Sequence, residues 1–423
     1  MKNILLRSVT IIHPASVYNN KKADVLFKDG HIEEISEAIA ADGEDLVVID
    51  AAGKYLSPGF FDLNANFGEP GYETREDLLS GSLAAAAGGF TGIAAQPSTN
   101  PPVHSKAEVS YIVNRSKELL ADVYPLGCIS YNREGKDLAE LYDMRLAGAV
   151  AFSDGVRPVQ DSGLMSRALL YAKGFDGLIF SYPEDVSIAG KGKMNEGEMS
   201  TYLGMKGVPA LAEDMHISRD LYLAEYNDAP IHFSTVSSGR SVSLIREAKK
   251  RGIKVTCDVA AHHLVLTELE LAGFDTNYKV KPPLRTAADV IALIEGLRDG
   301  TIDAIVSQHT PHEIEYKEVE FEIASFGITG FQTVLPLVLM AGLSVAEIVE
   351  KLAIRPRNIL NLPVPLFEKG EPANFVLFDT EEEWLFDAAS NQSKSSNSPF
   401  LNQTLKGKVI ITGNNKQLFN NKN

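Results

Sequence analysis

The chain opens with short segments in which apolar and polar residues alternate: NILLRSVTII at 3–12, ADVLFKDGHIEEI at 23–35 and LVVIDAAGKYL at 46–56. A period of two marks half-buried strands, and Asp29-Gly30 supplies the residue pair a tight hairpin turn needs. Near residue 56 the rhythm changes. Eight apolar, β-rich runs follow (GFFDLNA, TGIAAQPS, VYPLGCIS, GAVAFSDG, GLIFSYPE, PIHFSTVSS, KVTCDVAAHH and DAIVSQHTPH), separated by stretches with helical spacing. Ser105-x-x-Glu108 and Ser344-x-x-Glu347 have the spacing of capping boxes at helix starts, and SVSLIREAKKRG at 241–252 is amphipathic at the helical period. From about 367 the alternating pattern returns in ANFVLFDT and GKVIITGNNK. The patterning predicts an α/β fold: a (β/α)8 TIM barrel over 56–366 with a small β-sandwich domain formed from both chain ends, 1–55 plus 367–423. Past residue 412 the polar, Asn/Lys-rich tail is expected to fray.

Composition narrows the class. At 423 residues the chain accommodates a barrel and a modest second domain. A net charge of −16 argues against nucleic acid and anionic membranes as partners. Cys128 and Cys257 lie too far apart in sequence to suggest a disulfide framework, which suits a reducing cytoplasm. The apolar N-terminus is interrupted by Arg7 and has no small-residue cleavage site after it, so it reads as a strand, not a signal peptide. No apolar run reaches the roughly 18 residues a membrane helix requires.

The first run carries the candidate chemistry. Pro58-Gly59-Phe60-Phe61-Asp62-Leu63-Asn64-Ala65-Asn66 resembles the PGxxDxHxH strand end of the amidohydrolases, in which two histidines two apart face the same way and grip a divalent ion. Here both histidine positions are Asn. Further ordered pieces resemble the long, two-domain dihydroorotases. They are Glu69-Pro-Gly71 with Glu73, Ala84 to Thr91, Pro97-Ser-Thr-Asn-Pro101, Ala151-Phe-Ser-Asp154, Met194-Asn-Glu-Gly197, His262-His-Leu264, Pro282-Pro-Leu-Arg285, Pro311-His312 and Gly327-Ile-Thr-Gly330.

That resemblance implies interconversion of carbamoyl aspartate and dihydroorotate on one or two zinc ions, with an Asp moving the proton. Carried over position by position, it also implies that the parts are missing. Asn64, Asn66, Tyr182 and Thr235 stand where the family has metal histidines, and Gln308 where it has the proton-shuttling Asp. Gly68 replaces the carboxylate-clamping Arg; Ser98 and Lys281 replace substrate-binding Asn residues, and His312 completes the set of substrate-pocket positions. Asp154 reads as the surviving carboxylate of an Asp-Asp pair that is here Asp154-Gly155. Amide, hydroxyl and phenol groups are weak zinc donors beside imidazole or carboxylate, so no metal and no catalytic residue are expected. The implied role is structural or regulatory in pyrimidine biosynthesis, because non-catalytic homologues are partners of aspartate transcarbamoylase, and dimers are common in the family.

Other readings remain open. An active cyclic-amide hydrolase (dihydroorotase, hydantoinase or allantoinase) would need zinc on an unconventional site drawn from Asp154, His262 or His263, His309 and His312. A sensor would use the barrel mouth as a small-molecule pocket. The plainer reading makes Asp154 a hydrogen-bonded mouth carboxylate, and the adjacent His262 and His263, on opposite faces of a strand, structural. His232, three residues before Thr235, would then face the outer helices. Glu184-Asp185, Glu69, Glu73 and Lys191–Gly197 read as scaffolding of the rim, and Lys281 with Arg285 as a weak anion signal.

Overall fold

A computed structural model of the chain describes residues 3–41 and 46–421; residues 1–2, 42–45 and 422–423 of the expected terminal domain lie outside them. Each of the eight apolar runs contains a strand: Phe60–Ala65, Phe90–Ala95, Asp122–Gly127, Ala151–Phe152, Ile179–Ser181, Ile231–Phe233, Val255–Ala260 and Ala304–Val306. They pair in sequence order in one parallel sheet. A parallel bridge from Ala65 to His309 joins the last unit to the first, and the Asn66 amide donates to the His309 carbonyl at 2.8 Å. The result is a (β/α)8 barrel. Alternation along the strands separates two cores. Phe61, Leu63, Leu126, Phe180 and Val306 fill the barrel, while Phe60, Ile93, Phe152, Ile231, Phe233 and Ile305 pack between the strands and the helices. Both anticipated capping boxes form, Ser105 with Glu108 and Ser344 with Glu347.

The chain ends meet in a second, eight-stranded sheet. The strand Asn3–Ile11 pairs along one edge with Lys22–Lys28. Along the other it pairs first with Leu46–Asp50 and then with Tyr55–Ser57, a fork that lets the sheet close into a sandwich. Tyr55–Ser57 in turn takes Phe375–Phe386 from the far end of the chain. This module has its own core, in which Phe27 stacks on Phe375 at 4.2 Å. Its first hairpin turns at Asp29 and Gly30, both at positive φ (50° and 79°), as the sequence pair demands.

Among the described residues, which run to 421, the expected fraying past residue 412 does not occur. Gln403–Asn414 continues as a strand, turns, and returns as Gln417–Asn420. Asn414 explains why: its amide donates to the carbonyl of Leu120 at 2.9 Å and to Asp122 at 3.1 Å, pinning the hairpin to the barrel. Polar composition was misleading because these side chains bind backbone groups of another element. Among the described residues, no helix is long and apolar enough to cross a membrane.

Candidate active site

Barrels of this kind do their chemistry where the strands end and the loops begin. Here that face holds a cavity of about 480 Å³. Asn64, Asn66, Gly68, Ser98, Tyr182, Lys281, Gln308 and His312 line it, so these sequence-predicted positions are brought together; Asp154 and Thr235 are not among its lining.

Neutral hydrogen bonds engage Asn64, Asn66 and Thr235 at the mouth. Asn64 Nδ2 donates to Thr235 Oγ1 at 2.9 Å and to Ser234 Oγ at 3.2 Å. Asn66 Nδ2 donates to Thr310 Oγ1 at 3.0 Å. Tyr182 is buried against the cavity, and burial holds its hydroxyl well above the usual phenol range. Thr235 lies past the strand end at φ 59°, a left-handed conformation that is costly for a β-branched residue. Asp258 accepts its backbone N–H at 2.6 Å and helps hold it there.

Asp154, expected as the surviving carboxylate, faces away from the cavity. It accepts the backbone N–H groups of Ile129 (2.9 Å) and Ser130 (3.0 Å) and the Ser130 hydroxyl. Burial raises its pKa against the pull of these bonds. The neighbour that does face the cavity is Gly155, where an added Cβ would sit 3.0 Å from Arg133 and 3.0 Å from Ser98. Of the Asp154-Gly155 pair, the cavity-facing member therefore has no side chain.

At Gly68 the backbone leaves no room for a side chain. A Cβ there would lie 1.9 Å from the Tyr72 carbonyl oxygen and 2.6 Å from that of Glu76. The loop has closed over the position, with Tyr72 N–H donating to Gly68 O at 2.7 Å and Gly68 N–H to Glu76 O at 2.8 Å.

The histidines do not assemble a replacement site. His309 stacks on Phe331 at 4.3 Å and meets Glu76 at 3.3 Å. His312 bonds the Phe326 carbonyl at 2.9 Å, and burial lowers its pKa to about 4. The strand expected through His262 and His263 ends at Ala260, and a 3-10 turn over Ala261–Leu264 places the two rings 4.5 Å apart. Opposite-face alternation therefore does not apply to them. His263 bonds the Pro282 carbonyl at 3.1 Å, and burial lowers both pKa values, that of His263 to about 4.

His232, expected against the outer helices, instead faces the barrel interior. It lies against Phe180 at 4.2 Å and bonds Thr256 (2.8 Å) and Asp258 (2.9 Å). Parity counted from Thr235 fails because the strand stops at Phe233.

The rim residues are engaged elsewhere. Glu69 is buried; it accepts the backbone N–H of Leu78 at a helix start and the Tyr111 hydroxyl. Glu73 bonds the Gly71 N–H at 2.8 Å, and Asp185 caps a short helix. Lys281 pairs with Glu184 at 2.8 Å. Arg285 is buried under the 194–208 segment, donating to Asn195 Oδ1 and the Val208 carbonyl, and does not join Lys281 in an anion site. Sequence reading missed Arg75, Arg133, Arg157 and Gln96, all of which line the cavity. Their positions just past barrel strands were the available signal.

Among the described residues, no three His, Cys, Asp or Glu side chains gather where they could hold a metal ion. The family's zinc does not fit the amide, hydroxyl and phenol donors present at its expected positions.

The fold is an amidohydrolase-type barrel with a terminal β module. The solved L-hydantoinase (dihydropyrimidinase) from Arthrobacter aurescens matches it with a TM-score of 0.85 at 24% identity, covering 99% of this chain and 96% of that one. A D-hydantoinase (dihydropyrimidinase) from Thermus sp. matches with a TM-score of 0.78 at 19% identity, covering 98% and 94%. A family model described as Dihydro-orotase-like matches residues 53–241. A protein named dihydroorotase from Syntrophus aciditrophicus is 44% identical over 414 residues, 97% of each chain, and another from Geotalea daltonii is 43% identical over 415 residues, again 97% of each. The chain belongs to the dihydroorotase family.

Proposed function

We propose that this protein is a catalytically inactive member of the dihydroorotase family with a structural or regulatory role in pyrimidine biosynthesis, in the cytoplasm, as a dimer and in association with aspartate transcarbamoylase. One observation carries the loss of catalysis. Asn64, Asn66, Tyr182 and Thr235 hold the metal-histidine positions, and the first two are hydrogen-bonded into a neutral network that replaces a ligand set. Gln308 at the shuttle position cannot carry a proton as a carboxylate does, and its Nε2 is committed to the Lys281 carbonyl at 2.7 Å. The intact barrel and its docked terminal module support a role that uses the fold without the chemistry.

Full-length identity of 44% with a protein named dihydroorotase favours the rival, an active cyclic-amide hydrolase with zinc on an unconventional site. That reading needs Asp154, His262 or His263, His309 and His312 to converge, and Asp154, His263, His309 and His312 each bond a different partner. Elemental analysis of the purified protein after dialysis against zinc separates the two. The expected result is far below one ion per chain and no hydrolysis of dihydroorotate. A stoichiometric ion with turnover lost on Asp154→Ala would overturn the proposal. Co-elution with aspartate transcarbamoylase in size-exclusion chromatography tests the partner.

A further inference from the structure

We propose that a second cavity, between the terminal module and the barrel, binds a flat aromatic molecule carrying one anionic group. The cavity has a volume of about 480 Å³ and shares no lining residue with the one at the barrel mouth. That size suits a small organic molecule. The strands Phe375–Phe386, Gln403–Asn414 and Gln417–Asn420 of the module line it, together with the helix Val334–Met340 that follows the eighth barrel strand. Leu335, Pro336, Trp384, Val409 and Phe419 supply its apolar walls. On a chain of net charge −16, the cavity is lined by one charged side chain, Lys408, and by no Asp or Glu among the described residues. Lys408 Nζ pairs with Glu382 at 2.8 Å, and Glu382 is itself partly exposed. An ammonium group has three N–H donors and a partly exposed pair is weak, so Lys408 can take a second anion.

Hydrogen bonds to backbone groups fix these walls in advance. Trp384, the chain's single tryptophan, donates its indole N–H to the Gly407 carbonyl at 2.9 Å and meets Phe386 edge-on at 5.7 Å. Gln332 clasps the 390–392 segment, donating to the Ser390 carbonyl at 2.9 Å and accepting the Gln392 N–H at 2.8 Å. Asn421 donates to the carbonyls of Ala87 at 3.0 Å and Val409 at 2.8 Å, tying the last described residue to a barrel helix and to the neighbouring strand. A wall already ordered does not have to be ordered when a ligand arrives. The indole and the phenyl ring favour a ring system, since aromatic pairs gain more than their buried area alone. The lone ammonium favours a single negative charge at one end of it. The site lies outside the barrel mouth and is independent of whether catalysis has been lost.

Fluorescence titration of the full chain with 8-anilinonaphthalene-1-sulfonate tests it, because the emission of Trp384 reports on the cavity directly. The comparator is N-phenyl-1-naphthylamine, the same ring system without the sulfonate. The sulfonate should quench Trp384 and saturate as a single site, and the naphthylamine should bind about tenfold more weakly, as loss of a hydrogen bond to a charged group implies. Lys408→Met should bring the sulfonate down to the naphthylamine and leave the naphthylamine where it was. Ala389→Phe, at an exposed position in the cavity wall, should weaken both probes by filling the space their rings take. Arg157→Met, at the barrel mouth, should leave both unchanged. The two-probe comparison uses the unmodified chain, so it decides the need for charge whether or not a variant folds. No quenching, equal affinity for the two probes, a sulfonate affinity unchanged in Lys408→Met, or one lowered by Arg157→Met would each overturn the proposal. So would an affinity that falls as the protein concentration is raised, since a second copy would then be what covers the cavity.

Discussion

At the residue scale, burial has done as much as substitution to set the chemistry of the mouth. Asp62 is fully buried behind Asn64, accepting the backbone N–H groups of Asn64 (3.1 Å) and Ser307 (3.2 Å) and the Ser307 hydroxyl. Burial, with the nearby Asp258 charge adding to it, raises its pKa from 3.8 to about 7. Between about pH 4 and 7 the folded chain therefore holds a proton that the unfolded chain has released, so this group's contribution to stability falls as pH rises through that window. The full effect is on the order of 4 kcal/mol as an upper figure. Asp62→Asn keeps an acceptor for both N–H groups and cannot titrate, so its melting temperature should fall less between pH 5 and pH 8 than that of the wild type. Equal falls would show that Asp62 ionises normally. Gly68 makes the complementary point. Gly68→Arg puts a Cβ 1.9 Å from a backbone oxygen, so the variant should lose about 1–3 kcal/mol or more in chemical denaturation, as overpacked sites do. The backbone there has no room for the arginine that the resemblance expects.

At the element scale, the terminal hairpin is part of the barrel's support. Asn414 bonds the carbonyl of Leu120 and the Asp122 carboxylate, and accepts from Asn374 at 3.0 Å. Asn414→Ala leaves buried barrel groups unmet and should lower unfolding free energy by about 2–3 kcal/mol, read from the urea midpoint at unchanged slope. A loss below a few tenths would show that the hairpin is decoration. Where elements end also decided which sequence readings survived. Helix starts were legible because a capping box is local, four residues long and self-contained. The barrel strands were legible as apolar runs, but their last residues were not. The early stop at Phe233 broke the parity counted back from Thr235 to His232, and the 3-10 turn after Ala260 brought His262 and His263 together. Both follow from how the chain leaves the strand, which alternation alone does not encode.

At the scale of the whole molecule, the proposed loss of catalysis would be distributed over the mouth, so single reversions should fail. The variant Asn64→His/Asn66→His/Tyr182→His/Thr235→His should gain zinc, up to about one ion per chain, since three or four imidazoles make a workable site. It should still not hydrolyse dihydroorotate. Position 155 offers no carboxylate, Gln308 no proton shuttle, and the backbone around Gly68 no room for a clamp, and such groups act together on one transition state. Elemental analysis and a hydrolysis assay on the same preparation check both halves; measurable turnover would show that the remaining mouth suffices for catalysis.

The sequence by itself determined the barrel, the joining of the chain ends in one sheet, and the identities Asn64, Asn66, Tyr182 and Thr235 at positions where the resemblance expects histidines. Each of these is written in local periodicity or in the identity of one residue at one place. Only the tertiary structure decided that Gly155 faces the cavity while Asp154 turns away, that Arg285 is buried beneath its loop, and that Arg133 and Arg157 line the cavity with Gln96. The reason is physical. What a side chain is depends on the residue, but what it meets depends on segments from distant parts of the chain, packed together at the mouth of the barrel.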